Sequence, residues 1–205
     1  MPDERTGEHD ADGLTSLREL AVRLGERCTA LRLQVATVES CTGGLVGHAI
    51  TEIPGSSGYY VGGFVTYSDE LKFRAVGVPH DVLSAHGAVS AQVAMAMATG
   101  GRQHTGANLA AAVTGIAGPD GGSPSKPVGL TYIAVADDIG VAVRRHVWNG
   151  DRSANKVASA EAALELLLER IEAAGTTISA SHDRDDSGDP GVAGGVSGEF
   201  DGPRG

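Results

Sequence analysis

Hydrophobic residues follow two spacings along the chain, one typical of helices and the other of strands. Apolar side chains recur at three- and four-residue steps across residues 14–31, and a second stripe of this kind covers 157–171. Each stripe places its apolar side chains on one face of a helix. Between the two lie five short apolar runs of the length that buried strands have: residues 33–38, 59–67, 108–114, 128–136 and 141–148.

Glycine, proline and capping residues mark where the predicted elements end. Four more helices are predicted: 45–53, 69–76, 81–85 and a longer one capped by Ser90. Gly175 fits the position just after the last helix, and a hairpin across 137–140 joins the last two strands. Gly62 and Gly63 indicate a bulge or a close backbone approach within a strand. Together these elements predict an α/β fold, a single three-layer α/β/α sandwich around a mixed β-sheet.

Composition divides the chain into a central domain and two acidic ends. The 205 residues carry a net charge of −10. Residues 1–13 hold five acids and one base, and residues 176–205 hold six acids and two bases, so the two ends contribute −4 each. Both ends are predicted to be disordered, because such segments cannot bury enough apolar surface to offset the entropy of ordering. We expect one folded domain over residues 14–175.

Several functional classes are disfavoured by what the sequence lacks. Nucleic-acid binding needs a basic face for the phosphates, and this chain is acidic. No apolar run approaches the roughly 20 residues of a membrane-spanning helix, and Met1 leads into acidic residues, so we expect a cytoplasmic protein. Cys28 and Cys41 have no zinc-site spacing and are not expected to form a disulfide. The motifs of P-loop, dinucleotide-binding, zincin and α/β-hydrolase proteins are absent.

Ser40 is the first candidate for chemistry, because it follows a predicted buried strand and precedes a glycine-led helix. Free N–H groups of Thr42, Gly43 and Gly44 at the start of that helix would bind an anion or an oxyanion. Three interpretations stay open: Ser40 is a nucleophile, Ser40 and Thr42 are phosphate ligands, or the turn only caps the helix. Cys41 is either a second possible nucleophile or a small buried side chain.

Lys72 lies in the helix after the next predicted strand, which ends at Tyr67. A serine without a nearby histidine needs another base, and a lysine serves only if burial lowers its pKa from ~10.4 by about 3 pH units. The chain has three lysines and 13 arginines, and an arginine cannot give up its proton. Lys72 is therefore a candidate base, and the alternative is a solvated helix residue beside Glu70 and Asp69.

A glycine-dense loop follows the predicted strand that ends at Thr114. Its glycines, beginning with Gly115, either let the backbone approach a ligand closely or form a long flexible hairpin. Arg152, at the start of the last helix, is either a bidentate phosphate ligand or a surface arginine. Spacing alone does not decide between these alternatives.

Seven motifs occur in order along the chain: Glu39-Ser40-Cys41-Thr42-Gly43-Gly44, Pro54-Gly55-Ser56-Ser57, Val65-Thr66-Tyr67-Ser68 with Lys72, His86-Gly87-Ala88-Val89-Ser90, the loop 114–122, Lys126-Pro127-Val128-Gly129 and Gly150-Asp151-Arg152. Together they resemble the CinA C-terminal domain family over residues 14–174. Trp148 stands where that family often has phenylalanine, and both acidic ends lie outside the pattern.

Studied members of this family are nicotinamide-nucleotide amidohydrolases. The resemblance therefore implies hydrolysis of the carboxamide of nicotinamide mononucleotide to nicotinate mononucleotide and ammonia, in pyridine nucleotide recycling. It implies Ser40 as the nucleophile that forms an acyl-enzyme, Lys72 as its general base and Tyr67 as a proton relay or orienting hydroxyl. N–H groups at Gly43 and Gly44 would hold the oxyanion, and no metal or other cofactor is implied. The implied substrate-binding residues are Glu39, Cys41, Thr42, Gly43, Gly44, Thr114, Gly115 and Arg152.

A second interpretation is a non-catalytic nucleotide-binding or regulatory module, linked to the competence or DNA-damage response after which the family is named. Many bacterial members carry a larger N-terminal domain similar to molybdopterin-binding proteins. A chain of 205 residues is too short for that domain, so we expect a stand-alone deamidase. The resemblance also leads us to expect a homodimer or higher homo-oligomer, with nicotinamide mononucleotide as substrate and neither nucleic acid nor membrane as a partner.

Overall fold

A computed structural model describes the backbone of residues 6–185 and the side chains of residues 15–173. Within that range one five-stranded sheet has the order β2-β1-β3-β4-β5. Its strands are β1 (Val35–Glu39), β2 (Tyr60–Val65), β3 (Leu109–Gly115), β4 (Leu130–Ala136) and β5 (Val141–Val147). β1 pairs in parallel with β2 and β3, whereas β4 and β5 extend the sheet as antiparallel strands. The predicted mixed sheet is confirmed.

Helices cover both faces of this sheet. In the described part of the chain they are α1 (Thr6–Leu31), α2 (Leu45–Thr51), α3 (Asp69–Val76), α4 (His80–His86), α5 (Ala91–Thr105) and α6 (Arg152–Asp185), with a 3-10 helix at Ser56–Gly58. α1, α2 and α6 bury apolar side chains against one face, and α3, α4 and α5 pack on the other. The predicted α/β sandwich, with one layer of helices on each side of the sheet, is confirmed.

The central strand β1 is buried along its whole length, because helices cover both of its faces. The carboxyl ends of the three parallel strands lie at the same edge of the sheet, where Glu39 is in register with Val65 and Val113. The chain leaves β1 at Ser40 and β2 at Thr66 along this edge. Parallel sheets of this kind bind their ligands beyond the carboxyl ends of the strands.

Gly63 lets β2 approach β1 closely. A Cβ on Gly63 would lie 2.2 Å from the hydroxyl oxygen of Thr37 in β1. The pairing also shifts register between Tyr60 and Gly62, so Val61 bulges out of the ladder. Both features predicted from the glycine pair, a bulge and a close approach, are confirmed.

Both terminal helices extend beyond the predicted limits of the domain. α1 begins at Thr6, and α6 continues past Gly175, so the segments predicted to be disordered overlap the ends of helices. The prediction that the last helix ends before Gly175 is wrong, because a glycine costs a helix only about 1 kcal/mol relative to alanine and the following turns continue to form hydrogen bonds. The rest of the acidic ends, residues 1–5 and 186–205, lies outside the described residues. None of the described helices is long and apolar enough to cross a membrane.

Gly100 in α5 faces the carbonyl oxygen of Val76, and a Cβ at this position would lie 1.7 Å from that oxygen. We predict that Gly100→Ala lowers the free energy of unfolding by about 2–3 kcal/mol, because the methyl group must push α5 away from α3. Helix propensity alone acts in the opposite direction, by up to about 1 kcal/mol. Chemical denaturation measures the difference, with Gly58→Ala as the control, since a Cβ there meets nothing within 4 Å. Unchanged or higher stability of Gly100→Ala would contradict this packing.

Candidate active site

Ser40 occupies the first position after β1, at the carboxyl edge of the parallel strands. Its N–H donates to the carbonyl oxygen of Val113 at 2.9 Å, and its own carbonyl oxygen accepts from the N–H of Gly43 at 3.1 Å. Only 8 % of the residue is exposed. The two bonds fix the backbone on both sides of the Ser40 side chain, which lines a cavity beside α3.

Lys72 reaches the Ser40 hydroxyl from α3. Its Nζ lies 3.2 Å from Ser40 Oγ and 3.0 Å from the carbonyl oxygen of Thr66, the residue that follows β2. The Asp69 carboxylate, one helical turn earlier, lies 3.9 Å from Nζ. Because Lys72 is only 1 % exposed, the interpretation of this lysine as a solvated helix residue is wrong.

The local sequence explains why Lys72 points inward. Ser68 Oγ accepts a hydrogen bond from Leu71 N–H, so α3 begins almost directly after β2. Gly77, in the left-handed conformation, ends the helix. The buried side chains of α3 are those of Lys72 and Val76, which are four residues apart and therefore share one face. The inner face of this short helix thus carries a lysine.

Burial lowers the pKa of Lys72, whereas the Asp69 carboxylate and, after it, the Cys41 sulfur act in the opposite direction. A lower pKa increases the fraction of neutral amine at a given pH, and only the neutral amine accepts a proton. As an ammonium, Lys72 donates to Ser40 Oγ; as an amine, it accepts from the Ser40 O–H. The pair is therefore equipped to activate the serine as a nucleophile.

Cys41 lies beside Ser40 and lines the same cavity. Burial raises the pKa of the Cys41 thiol to about 11, although the backbone N–H groups of Cys41 and Thr42 counteract the rise. At neutral pH such a thiol is protonated, and the nucleophilic form is the thiolate. The environment therefore favours Ser40 over Cys41 as the nucleophile.

The cavity has a volume of about 260 Å³. Seven of the predicted site residues line it: Ser40, Cys41, Tyr67, Lys72, Thr114, Gly115 and Arg152. Asp69, Ala88, Val89 and the loop after β3 complete the wall. No group of three His, Cys, Asp or Glu side chains in the described part of the chain is placed to bind a metal ion.

Tyr67 lies in the wall of the cavity with 61 % of the residue exposed. Its hydroxyl accepts a hydrogen bond from Arg152 Nη2 at 3.1 Å, and Arg152 Nη1 donates to the carbonyl oxygen of Gly118 at 2.6 Å. One guanidinium thus joins the β2–α3 connection to the loop after β3. In the side chains that the structure describes, the Tyr67 hydroxyl makes no hydrogen bond to Ser40 or Lys72, so it is oriented by Arg152 instead.

Glu39 lies behind the Ser40 turn and does not line the cavity. Its Oε2 accepts from the N–H groups of Gly44 at 2.9 Å and Val46 at 3.1 Å, and its Oε1 accepts from Gly47 N–H at 2.8 Å. These donors belong to the start of α2, where a carboxylate is stabilised by unpaired N–H groups and by the helix dipole. Glu39 therefore holds the helix, and its predicted role as a substrate ligand finds no support in this geometry.

The N–H groups of Gly43 and Gly44 are not free to bind an oxyanion. That of Gly44 donates to Glu39, and that of Gly43 donates to the first carbonyl group of the turn. The predicted oxyanion role of these two groups finds no support in this geometry, because the turn itself uses both. Among the described residues, the N–H groups of Cys41 and Thr42 donate to no carbonyl or carboxylate group. Thr42 is buried outside the cavity wall, and its hydroxyl has no partner there.

Thr114 and Gly115 shape the wall of the cavity opposite α3. Thr114 Oγ1 donates to the carbonyl oxygen of Ala88 at 2.8 Å and so joins β3 to the α4–α5 loop. A Cβ on Gly115 would lie 2.7 Å from the carbonyl oxygen of Leu130, so only glycine fits this position without a shift of the backbone. The two residues contribute position and space to the site.

Two functional groups at the site are not evident from the sequence motifs. Thr66 contributes its main-chain carbonyl oxygen, which leaves no signal in the side-chain pattern. Asp69 precedes Lys72 by three residues, and that spacing in a predicted helix is the signal that places both on one face.

We predict that Glu39→Ala lowers the free energy of unfolding by about 2–3 kcal/mol, because three N–H groups at the start of α2 lose their acceptor. Thermal or chemical denaturation measures this loss. Glu52→Ala is the matched control, since Glu52 is an exposed acid at the other end of the same helix. Equal stability of the two variants would contradict the helix-holding role of Glu39.

Known proteins are similar in sequence to this chain over most of its length. The family model of the CinA C-terminal domain matches residues 17–171. A CinA-like protein of Geobacter metallireducens is 46% identical over 168 residues, which cover 82% of this chain and 40% of that protein. The nicotinamide-nucleotide amidohydrolase PncC of Pseudomonas putida is 47% identical over 150 residues, which cover 73% of this chain and 94% of that protein. The chain thus spans less than half of its CinA-like relative and nearly all of the PncC protein.

Solved structures show the same fold. The competence/damage inducible protein CihA from Agrobacterium tumefaciens has a TM-score of 0.72 and 44% sequence identity, with coverage of 75% of this chain and 94% of that one. A CinA superfamily protein from Klebsiella pneumoniae has a TM-score of 0.74 and 31% identity, with coverage of 76% and 98%. The family match and these similarities show that the chain belongs to the CinA C-terminal domain family.

Proposed function

We propose that the chain is a nicotinamide-nucleotide amidohydrolase that converts nicotinamide mononucleotide to nicotinate mononucleotide and ammonia. The observation that carries the proposal is the contact between the buried Lys72 Nζ and Ser40 Oγ, at 3.2 Å on the wall of a cavity. A serine paired with a buried amine is suited to acyl transfer without a histidine. The choice of amide rests on similarity to the Pseudomonas putida protein, whose name states that activity.

In the proposed first step, Ser40 loses its proton to the neutral amine of Lys72 while its Oγ bonds to the carboxamide carbon. The electron pair of the C=O double bond moves to oxygen and forms a tetrahedral oxyanion. In this proposal the N–H groups of Cys41 and Thr42, which donate to no carbonyl or carboxylate group and act on the Cys41 sulfur, turn to this oxygen. Their engagement would stabilise the charge that develops there.

In the second step, the Lys72 ammonium gives its proton to the amide nitrogen. The C–N bond breaks, ammonia leaves, and an ester of Ser40 remains. Lys72, again neutral, then takes a proton from a water molecule whose oxygen bonds to the ester carbon. Collapse of that intermediate returns the proton to Ser40 Oγ and releases the carboxylate product.

In this proposal Arg152 and Tyr67 receive the phosphate end of the nucleotide. Arg152 lies between the Ser40 cavity and a second, open recess of about 430 Å³, which Ser153 and Lys156 also line. Guanidinium and ammonium groups at such a position suit a phosphate. In this proposal Tyr67 orients the substrate, because its hydroxyl is held by Arg152.

We predict that the wild-type protein releases ammonia from nicotinamide mononucleotide and that Ser40→Ala lowers kcat by at least about 10³-fold. Ser84→Ala, at an exposed serine of α4, is the control and keeps full activity. Binding is followed in parallel by isothermal titration calorimetry. A wild-type protein that binds the nucleotide and releases no ammonia would support the alternative, a non-catalytic nucleotide-binding module. Full activity of Ser40→Ala would disprove the nucleophile assignment.

Lys72→Met is predicted to lose activity as Ser40→Ala does, because a thioether cannot accept the serine proton. Its free energy of unfolding should nevertheless stay equal or rise, by about 1–3 kcal/mol, since the ammonium no longer has to be buried. Kinetics and denaturation on the same preparation separate these effects. An active Lys72→Met would contradict the assignment of Lys72 as the base, and a Lys72→Met less stable than wild type would contradict the predicted effect of burying the ammonium.

A further inference from the structure

We propose that Asp69 is a positioning residue for Lys72: its carboxylate, together with the Thr66 carbonyl group, turns the amine lone pair toward Ser40 and sets the pH range in which Lys72 accepts a proton. The inference rests on the proposed function, in which Lys72 is the base. It goes beyond that function by assigning a role to the Asp69 carboxylate, which lines the cavity.

The partners of Lys72 Nζ differ in whether they have a proton to give to it. The Thr66 carbonyl oxygen accepts a hydrogen bond at 3.0 Å, and the Asp69 carboxylate, at 3.9 Å, is close enough for an ion pair but not for a hydrogen bond. Ser40 Oγ, at 3.2 Å, is the partner that carries a proton to give. A neutral amine has two N–H bonds and one lone pair. With one N–H bond donated to Thr66 and the other drawn toward the charge of Asp69, the lone pair would face the Ser40 hydroxyl.

Asp69 is also the nearest charge to act on the amine. It lies on the same helix as Lys72, at an i,i+3 spacing, and lines the cavity. Across the cavity are Asp120 and Arg152, and the β1–α2 turn contributes the protonated Cys41 thiol. Arg152 donates to the Gly118 carbonyl oxygen and to the Tyr67 hydroxyl, and among the described side chains no hydrogen bond joins it to Asp69.

The proton transfer explains why a carboxylate is useful at this distance. When Ser40 gives its proton to Nζ, a positive charge appears inside the wall of the cavity, where water is scarce. The new ammonium then donates hydrogen bonds to the Thr66 carbonyl oxygen and the serine oxygen, and the Asp69 carboxylate at 3.9 Å pairs with its charge. The negative charge of Asp69 stabilises this ammonium and offsets part of the cost of its burial.

Two substitutions separate the effect of the Asp69 charge from the effect of Asp69 on the orientation of the Lys72 amine. Asp69→Asn removes the charge and keeps a polar side chain of nearly the same size and shape, so the acidic limb of the pH profile of kcat/KM should move down by about 0.5 to 1 pH unit. The direction follows because loss of a negative neighbour lowers the pKa of the amine. The plateau of kcat should stay within threefold of wild type. Asp69→Ala removes both the charge and the polar side chain. The acidic limb should therefore shift as far as in Asp69→Asn, and the plateau of kcat should fall at least tenfold.

Glu70→Gln is the matched control. Glu70 is the next residue of α3, carries the same charge and pairs with Arg74 on the exposed side of the helix. Its substitution changes the net charge of the protein by the same amount as Asp69→Asn. A limb that moves equally in both variants, or in neither, would overturn the role of Asp69 in setting the pH range. Equal plateaus for Asp69→Asn and Asp69→Ala would overturn its role in orientation.

A readout without turnover distinguishes failure of this inference from failure of the proposed function. The chain has only three lysines, Lys72, Lys126 and Lys156, so their 13Cε signals can be assigned with Lys126→Arg and Lys156→Arg and titrated by NMR. The Lys72 signal should titrate about 0.5 to 1 pH unit lower in Asp69→Asn and stay near the wild-type value in Glu70→Gln. An unshifted Lys72 signal in Asp69→Asn overturns the inference even if ammonia is released. A shifted signal without ammonia release upholds the charge coupling and rejects the proposed reaction.

Discussion

The arrangement of this molecule depends on the burial of one amine, that of Lys72. Lys72 is 1 % exposed, and a charged ammonium taken out of water costs several kcal/mol unless other groups bind it. Its partners come from three elements: the turn after β1, the residue after β2 and the first turn of α3. The contacts that offset the burial of Lys72 therefore also hold α3 against the sheet and bring the amine to Ser40.

The turn that carries Ser40 has two sides with different tasks. Behind it, Glu39 binds three N–H groups at the start of α2 and fixes the helix to the end of β1. In front of it, the serine hydroxyl contacts Lys72, and the N–H groups of Cys41 and Thr42 face the Cys41 sulfur. Because structural hydrogen bonds consume the glycine N–H groups, any oxyanion site has to lie nearer to Ser40 than the glycines.

Local patterns predicted the fold more completely than the site. Apolar spacing and turn residues report on neighbours in sequence, which is why the strands and the hairpin were predictable. The Ser40–Lys72 contact joins residues 32 positions apart, and spacing alone left Lys72 as either a base or a solvated residue. The resemblance to a family supplied the pairing. The role of Glu39 was not predictable, because it depends on the direction in which one side chain leaves β1.

The most direct test of the account is to identify the residue that carries the acyl group. Rapid-quench mass spectrometry of the protein mixed with nicotinamide mononucleotide would detect an ester adduct during the first turnover. The account predicts an adduct of the nicotinate mononucleotide acyl group on Ser40, formed together with one equivalent of ammonia. An adduct on Cys41, or first-turnover ammonia release with no adduct at any quench time, would contradict it.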